Sequence, residues 1–227
     1  MAKFEKRAFK FETPDHFNIA ADFYLEPSTK DVPQPCVVLV HQFNHSKEQW
    51  DTFPEEVMAL GSKVVSYDIR GHGASDKVKD MPSLLSDPQQ APFDFEGLLN
   101  WMSGARGIDP EKVAVVGTSI GGYVACMANA LYPKNVRTAV AISSSKEGVL
   151  SFLRHKPGEH RMRSVLYIAA RGDGSNASDA GELAKSYTDE PKEVKIYEDV
   201  SGHGANLMNE KPEIKGVIID WLKRNLK

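Results

Sequence analysis

The sequence is poor in cysteine, with two in 227 residues. Cys36 opens an apolar run, and Cys126 lies in an apolar stretch that is predicted to be helical. The paired Cys-x-x-Cys spacing of a zinc finger is absent. Buried free thiols usually behave as small apolar side chains. We therefore expect two free cysteines, no disulfide bond and no metal site.

A bias toward charge of one sign is also lacking. The 28 basic and 31 acidic residues give a formal net charge of −3 and are scattered along the chain. Proteins that bind nucleic acid or anionic membranes usually carry a basic patch. No apolar run approaches the ~20 residues of a membrane-spanning helix. We expect no nucleic-acid partner and no membrane association.

The first ten residues lack the apolar core of a secretory signal. This predicts a cytoplasmic protein, with secretion as the alternative had a signal segment been removed. The length and a hydrophobic content of 41% suit one domain with a substantial core. We expect a single domain over residues 1–227, as a monomer or a small homo-oligomer.

Short apolar strands alternate with helices from Cys36 onward. Strands are predicted at residues 36–40, 63–67, 112–116, 136–142, 164–170 and 193–197. Helices are predicted at residues 47–60, 93–105, 123–131, 147–155, 176–187 and 212–226, and Pro54 interrupts the first. This alternation predicts an α/β fold whose parallel sheet has helices on both faces. Residues 4–11 and 18–25 precede it as a predicted antiparallel hairpin.

The pentapeptide Gly117-Thr118-Ser119-Ile120-Gly121 lies where a predicted strand meets a predicted helix. A serine there fits a nucleophile elbow, a turn so tight that its backbone is strained. Residues two before and two after the serine must be small, or they would collide with the neighbouring strand and helix. A Gly-Ser turn that only starts a helix has the same letters, but the strand-to-helix context favours Ser119 as a nucleophile.

Polar residues follow the predicted strands, at the sheet edge where α/β proteins place their functional crevice. These residues are His41-Gln42-Phe43, Asp68, Ser143-Ser144-Ser145, Gly172-Asp173 and Gly202-His203-Gly204.

The order of these motifs resembles that of the α/β-hydrolase superfamily, and the chain is most similar to its small, capless, dienelactone-hydrolase-like serine esterases. The matching motifs are the His41 strand end, Asp68-x-Arg70-Gly71-x-Gly73-x-Ser75, the Ser119 elbow, Gly172-Asp173 and Gly202-His203-Gly204. They cover roughly residues 36–226. The resemblance implies an α/β-hydrolase fold with a mostly parallel sheet, and it implies no cofactor.

The motif order implies a catalytic triad of Ser119, Asp173 and His203. A serine hydroxyl needs an adjacent base, and an imidazole suits proton transfer near neutral pH. Asp199 is a rival for the acid, and Asp179 is a weaker one. His41 and His72 belong to motifs that usually brace loops. The remaining histidines, His16, His45, His155 and His160, have no supporting pattern.

Two backbone N–H groups must hold the oxyanion of a tetrahedral intermediate. Ile120 supplies one, and the resemblance assigns the other to Phe43. Most members have His-Gly where this chain has His41-Gln42, and dienelactone-hydrolase-like members have a glutamate there. Gln42 therefore either contacts substrate or is structural. We expect Gln42 and Tyr123 in the substrate site.

The span between residues 142 and 164 holds only about one helix, so a full cap domain does not fit. An open pocket favours small esters, and we expect a carboxylesterase with a small-molecule ester substrate. The alternatives are a peptidase, thioesterase or lactone hydrolase on the same triad, or a non-catalytic binding protein of this fold. True dienelactone hydrolases usually have a cysteine nucleophile, which argues against that activity here.

Overall fold

The computed structural model describes residues 4–50 and 52–227. Eight strands in these residues form one sheet: β1 (Glu5–Glu12), β2 (Asn18–Leu25), β3 (Gln34–Val40), β4 (Lys63–Tyr67), β5 (Ile108–Thr118), β6 (Val136–Ile142), β7 (Met162–Ala170) and β8 (Thr188–Tyr197). Their order is β1-β2-β4-β3-β5-β6-β7-β8. β1 pairs antiparallel with β2, and β2 with β4, whereas the other neighbours are parallel. The predicted mostly parallel sheet with an antiparallel N-terminal hairpin is confirmed.

Helices cover both faces of the sheet, as predicted. They are α1 (Phe53–Met58), α2 (Ala91–Gly104), α3 (Ile120–Leu131), α4 (Lys146–Leu153), α5 (Asn176–Tyr187), α6 (Ala205–Glu210) and α7 (Ile214–Asn225). Within the described residues, no helix is both long enough and apolar enough to span a bilayer.

The sheet separates two apolar cores, because successive side chains of a strand point to opposite faces. In β3, Val38 and Val40 pack with α2 to α5, whereas Val37 and Leu39 pack with α1, α6 and α7. These residues are fully buried, which explains why the central strands are continuously apolar. Both cores support β3 and β5, the strands that lead into the candidate site.

Two helical regions differ from the prediction. The stretch 47–60 divides into a 3₁₀ turn at Lys47–Trp50 and the helix α1, with Pro54 in the first turn of α1, where a missing N–H costs little. The helix α6 was not predicted. It has six residues, of which Leu207 and Met208 are its buried apolar side chains, too few to show a helical period.

The predicted absence of a full cap domain is confirmed for the segment between β6 and β7. The chain there forms α4 and returns to the sheet at Met162. Residues 81–92 contain a 3₁₀ turn at Pro82–Leu85, and α2 begins at Ala91.

A buried arginine joins the loop after β4 to two other elements. Arg70 is 1% exposed, and its Nε donates to Asp94 Oδ1 of α2 at 2.6 Å. Its Nη1 donates to Asp15 Oδ2 in the hairpin turn, also at 2.6 Å, and the guanidinium lies 4.2 Å from the ring centre of Phe17. Removing one partner of such a pair leaves the other charge buried without a counter-charge.

We predict that Arg70→Leu lowers the free energy of unfolding by about 3–5 kcal/mol, because it leaves the Asp94 carboxylate buried without a counter-charge. Urea denaturation followed by circular dichroism would measure the change. The matched control is Arg224→Leu, which removes an exposed ion pair to Glu193 and should have a much smaller effect. Equal effects of the two substitutions would contradict this account.

Candidate active site

Ser119 lies in the turn between β5 and α3 with φ 53° and ψ −119°, a conformation that side chains rarely adopt. A Cβ built on Gly117 would overlap the backbone of Gly121, and one on Gly121 would overlap the carbonyl of Val40 and lie 2.8 Å from His41 O. The collisions with helix and strand expected from the spacing are therefore present. The Ser119 residue is 8% exposed.

The imidazole of His203 is paired with the carboxylate of Asp173. Its Nδ1 lies 3.0 Å from Oδ1 and 2.9 Å from Oδ2. The Asp173 side chain is 12% exposed and that of His203 is 41% exposed. Asp173 follows β7 and His203 follows β8, so adjacent strand ends bring them together. With Nδ1 facing Asp173, Nε2 is the nitrogen left for other partners.

The rival acids do not replace Asp173 in this arrangement. Asp179 accepts hydrogen bonds from Ser175 Oγ at 2.9 Å and from the N–H of Lys146 at 3.2 Å. Among the described residues, neither Asp179 nor Asp199 makes a hydrogen bond to His203.

The loop of His203 packs against the elbow. A Cβ built on Gly204 would lie 3.4 Å from Cβ of Thr118, the residue before Ser119. Within residues 4–50 and 52–227, however, the Ser119 hydroxyl and the His203 ring form no hydrogen bond. Such contacts are often long in free enzymes and shorten when substrate binds. The elbow at Ser119 and the hydrogen-bonded pair of Asp173 and His203 thus lie beside each other.

The two predicted oxyanion donors are backbone N–H groups. Neither the N–H of Ile120 nor that of Phe43 is bonded to a residue that the structure describes. The next residue, Asn44, donates its N–H to His72 Nε2 at 3.0 Å. The loop that carries Phe43 is therefore held while its own donor stays available.

His41 and His72 brace loops, as expected. The Nε2 of His41 accepts from the N–H of Ile69 at 2.9 Å, and its Nδ1 lies 2.7 Å from Gln42 O. Burial lowers the pKa of His41 to about 4, so the ring is neutral near pH 7. Ser75 has a comparable role, since its Oγ donates to Asp68 O and accepts from Ala20 N–H.

Gln42 has a structural contact that sequence reasoning left open. Its Oε1 accepts from the N–H of Ala205 at 2.7 Å, and its own N–H donates to Gln49 Oε1 at 3.0 Å. The residue is 9% exposed. A substrate contact through Gln42 stays a prediction.

Tyr123 lies beneath α4. Its hydroxyl is 2.9 Å from Ser145 Oγ, its ring packs edge-on against Phe152, and a Cβ on Gly148 would overlap the ring. Ser145 also caps α4 by accepting from the N–H of Gly148 at 3.2 Å. Tyr123 of α3 thus anchors α4, and its predicted contact with substrate is untested. No cluster of three or more metal-ligating side chains occurs in the described residues.

Comparison with known proteins identifies the family. A family model described as alpha/beta hydrolase fold matches residues 35–180. The chain belongs to the α/β-hydrolase fold family. The match spans the loop of Phe43, the elbow and Asp173.

Two curated relatives of this chain are named as hydrolases. The thiohydrolase aneE of Aspergillus aculeatus is 29% identical over 134 residues, which are 59% of this chain and 40% of that protein. The carboxylesterase SOBER1 of Arabidopsis thaliana is 28% identical over 123 residues, 54% of this chain and 53% of that protein. The matched part thus spans about half or less of these relatives.

Solved structures match the fold over nearly the whole chain. The esterase Pf2001 of Pyrococcus furiosus aligns with a TM-score of 0.74, at 16% identity, over 99% of this chain and 94% of that one. A dienelactone hydrolase from Anabaena variabilis aligns with a TM-score of 0.73, at 15% identity, over 99% of both chains. The predicted resemblance of fold is confirmed.

We predict that Gly121→Ala strongly destabilises this α/β hydrolase, because the added methyl overlaps the backbone carbonyl of Val40. Thermal unfolding would measure the change. Gly216→Ala is the matched control: it lies inside α7 with open space at Cβ, and should raise stability by about 0.5–1 kcal/mol. A neutral Gly121→Ala would contradict the packing of the elbow.

We also predict acid sensitivity from His41. Its pKa in the folded protein is about 4, against an ordinary value of 6.5, so the unfolded chain binds the proton first as pH falls. The free energy of unfolding should therefore drop by about 2 kcal/mol between pH 7 and pH 5 from this group. Urea titrations of wild type and His41→Gln would measure it. The same slope in both proteins would contradict the assignment.

Proposed function

We propose that the protein is a serine hydrolase, most specifically a carboxylesterase that cleaves small esters through an acyl-enzyme. One observation carries the proposal: the strained Ser119 at the elbow lies at the same sheet edge as the hydrogen-bonded Asp173–His203 pair. Membership of the α/β-hydrolase family and relatives named as esterases support it.

In the proposed reaction, Ser119 Oγ attacks the ester carbonyl carbon while Nε2 of His203 takes the hydroxyl proton. The C–O bond to the alcohol then breaks, and the alcohol leaves with the proton from His203. A water molecule, deprotonated by His203, attacks the acyl-enzyme and releases the acid. Asp173 orients the imidazole and stabilises its charged form throughout, as its contact with Nδ1 supports.

Charge on the carbonyl oxygen would be stabilised by the free N–H groups of Ile120 and Phe43. Ile120 begins α3, whose N-terminal dipole favours negative charge. Such a donor is typically worth about 3 kcal/mol in the transition state. The bond from Asn44 to His72 supports the loop of Phe43, so little reorganisation is needed.

The substrate class is inferred from the connection between β6 and β7. Among its residues 143–161, all of which the structure describes, α4 is the only helix and a full cap domain is absent, which supports a short acyl or alcohol group over a long buried chain. Thioesters are the second candidate, because one relative is named as a thiohydrolase. Both substrates suit the same nucleophile, since each leaves a stable alcohol or thiol.

We predict that Ser119→Ala lowers hydrolysis of p-nitrophenyl acetate by more than about a thousandfold, because no nucleophile remains, and leaves circular dichroism unchanged. Labelling by a fluorophosphonate probe should also be lost. Ser178→Ala, an exposed serine of α5, is the matched control and should retain both. Undiminished turnover in Ser119→Ala would refute the proposed function.

A panel of acetate esters, thioesters and anilides would divide the candidate substrate classes. We expect kcat/KM to be highest for the ester, because this is the substrate class that the proposed carboxylesterase activity requires. A higher value for the thioester would favour the second candidate, and a higher value for the anilide would contradict both.

A further inference from the structure

The backbone directly after His203 is held by two side chains from other strand ends. The N–H of Gly204 donates to Ser143 Oγ at 2.9 Å, and the N–H of Ala205 donates to Gln42 Oε1 at 2.7 Å. Ser143 follows β6 and Gln42 follows β3, so the contacts come from two loops on either side of the elbow strand β5. Two consecutive N–H groups are thereby fixed from two directions.

The need for such support follows from the loop itself. His203 is flanked by Gly202 and Gly204, residues that restrict the backbone least. Gly204 has φ 55° and ψ −114°, and α6, which follows it, has only six residues. Asp173 fixes the ring of His203, but nothing in that contact fixes the main chain that carries it.

Gln42 and Ser143, called the clamp residues below, are themselves held in place. Ser143 is fully buried and has a positive φ of 53°, so the chain turns there at the end of β6. The N–H of Gln42 donates to Gln49 Oε1, and Gln49 Nε2 donates to Thr118 Oγ1 at 2.8 Å. Because the N–H of Ala205 can only donate, the amide oxygen of Gln42 must face it.

We propose that Gln42 and Ser143 are positioning residues that hold the His203 loop against the elbow and so keep the imidazole within reach of Ser119. The inference rests on the proposed function of His203 and goes beyond it, since it assigns a task to Gln42 at the place where related proteins usually have glycine. It also explains why Gly204 has no side chain: a Cβ there would overlap Gln42 Oε1.

The first test is kinetic and uses the full chain. Gln42→Met keeps the length of the side chain but removes the acceptor, and Ser143→Ala removes the other acceptor. Each should lower kcat for p-nitrophenyl acetate by about tenfold and leave KM within about twofold, because geometry at the reacting atoms is loosened and binding is not. Gln34→Met, at the opposite end of β3, is the matched control and should change neither.

A conservative variant separates the acceptor from mere packing. Gln42→Glu retains an oxygen for the N–H of Ala205 and should recover most of kcat. Its carboxylate should also move the acid limb of the pH–rate profile to higher pH, because a nearby negative charge favours the imidazolium. Two outcomes would overturn the role of the acceptor. One is an unchanged kcat in Gln42→Met, and the other is a kcat in Gln42→Glu as low as that of Gln42→Met.

A measurement that does not need turnover keeps the two proposals distinguishable. The Nδ1 proton shared with Asp173 should give a downfield proton NMR signal in wild type and in Gln34→Met, and a broadened one in Gln42→Met and Ser143→Ala. Unchanged kcat and signal in both clamp variants would overturn the inference. A change in KM alone for Gln42→Met would assign Gln42 to substrate instead. If wild type shows no turnover that depends on Ser119, the proposed function is refuted. The NMR comparison would still test whether Gln42 and Ser143 hold the His203 loop.

Discussion

The candidate site depends on one close approach, that of the elbow backbone to the end of β3. Gly121 lies against the carbonyls of Val40 and His41 with no room for a methyl group. This contact brings α3 onto the sheet beside Ser119, whose φ is positive. Among the described residues the N–H of Ile120 has no partner. Without this contact, Ser119 and the N–H of Ile120 would not share one turn.

Around this contact, the polar residues of the strand ends mostly hold one another. His41, Asp68 and His72 accept from backbone N–H groups, so the loop of Phe43 is fixed at three points. The loop of His203 is held separately, by Gln42, by Ser143 and, at Gly202, by Glu210. In each case a side chain orients backbone, which fits the proposed use of backbone N–H groups as oxyanion donors.

Much of this could be predicted from the sequence where one local rule applied. β2, β4 and β6 have the expected bounds because apolar runs and turns delimit them. The elbow was predictable because Gly117, Ser119 and Gly121 are close in sequence and stand where a strand meets a helix, although the contact of Gly121 with Val40 is long-range. The roles of Gln42 and Tyr123 were not, because their partners, Ala205 and Ser145, are distant in sequence and only the fold brings them together. The short α6 lacked enough apolar residues to show a period.

The single helix between β6 and β7 has a consequence for how such a protein can diversify. The loop from Ser143 to Ser145 joins the carboxyl end of β6 to α4, at the same sheet edge as Ser119. Extra residues acquired there during evolution would extend over that edge while every strand pairing stayed intact. The set of molecules that fit at this edge could therefore change stepwise, by lengthening one connection, with Ser119, Asp173 and His203 left in place.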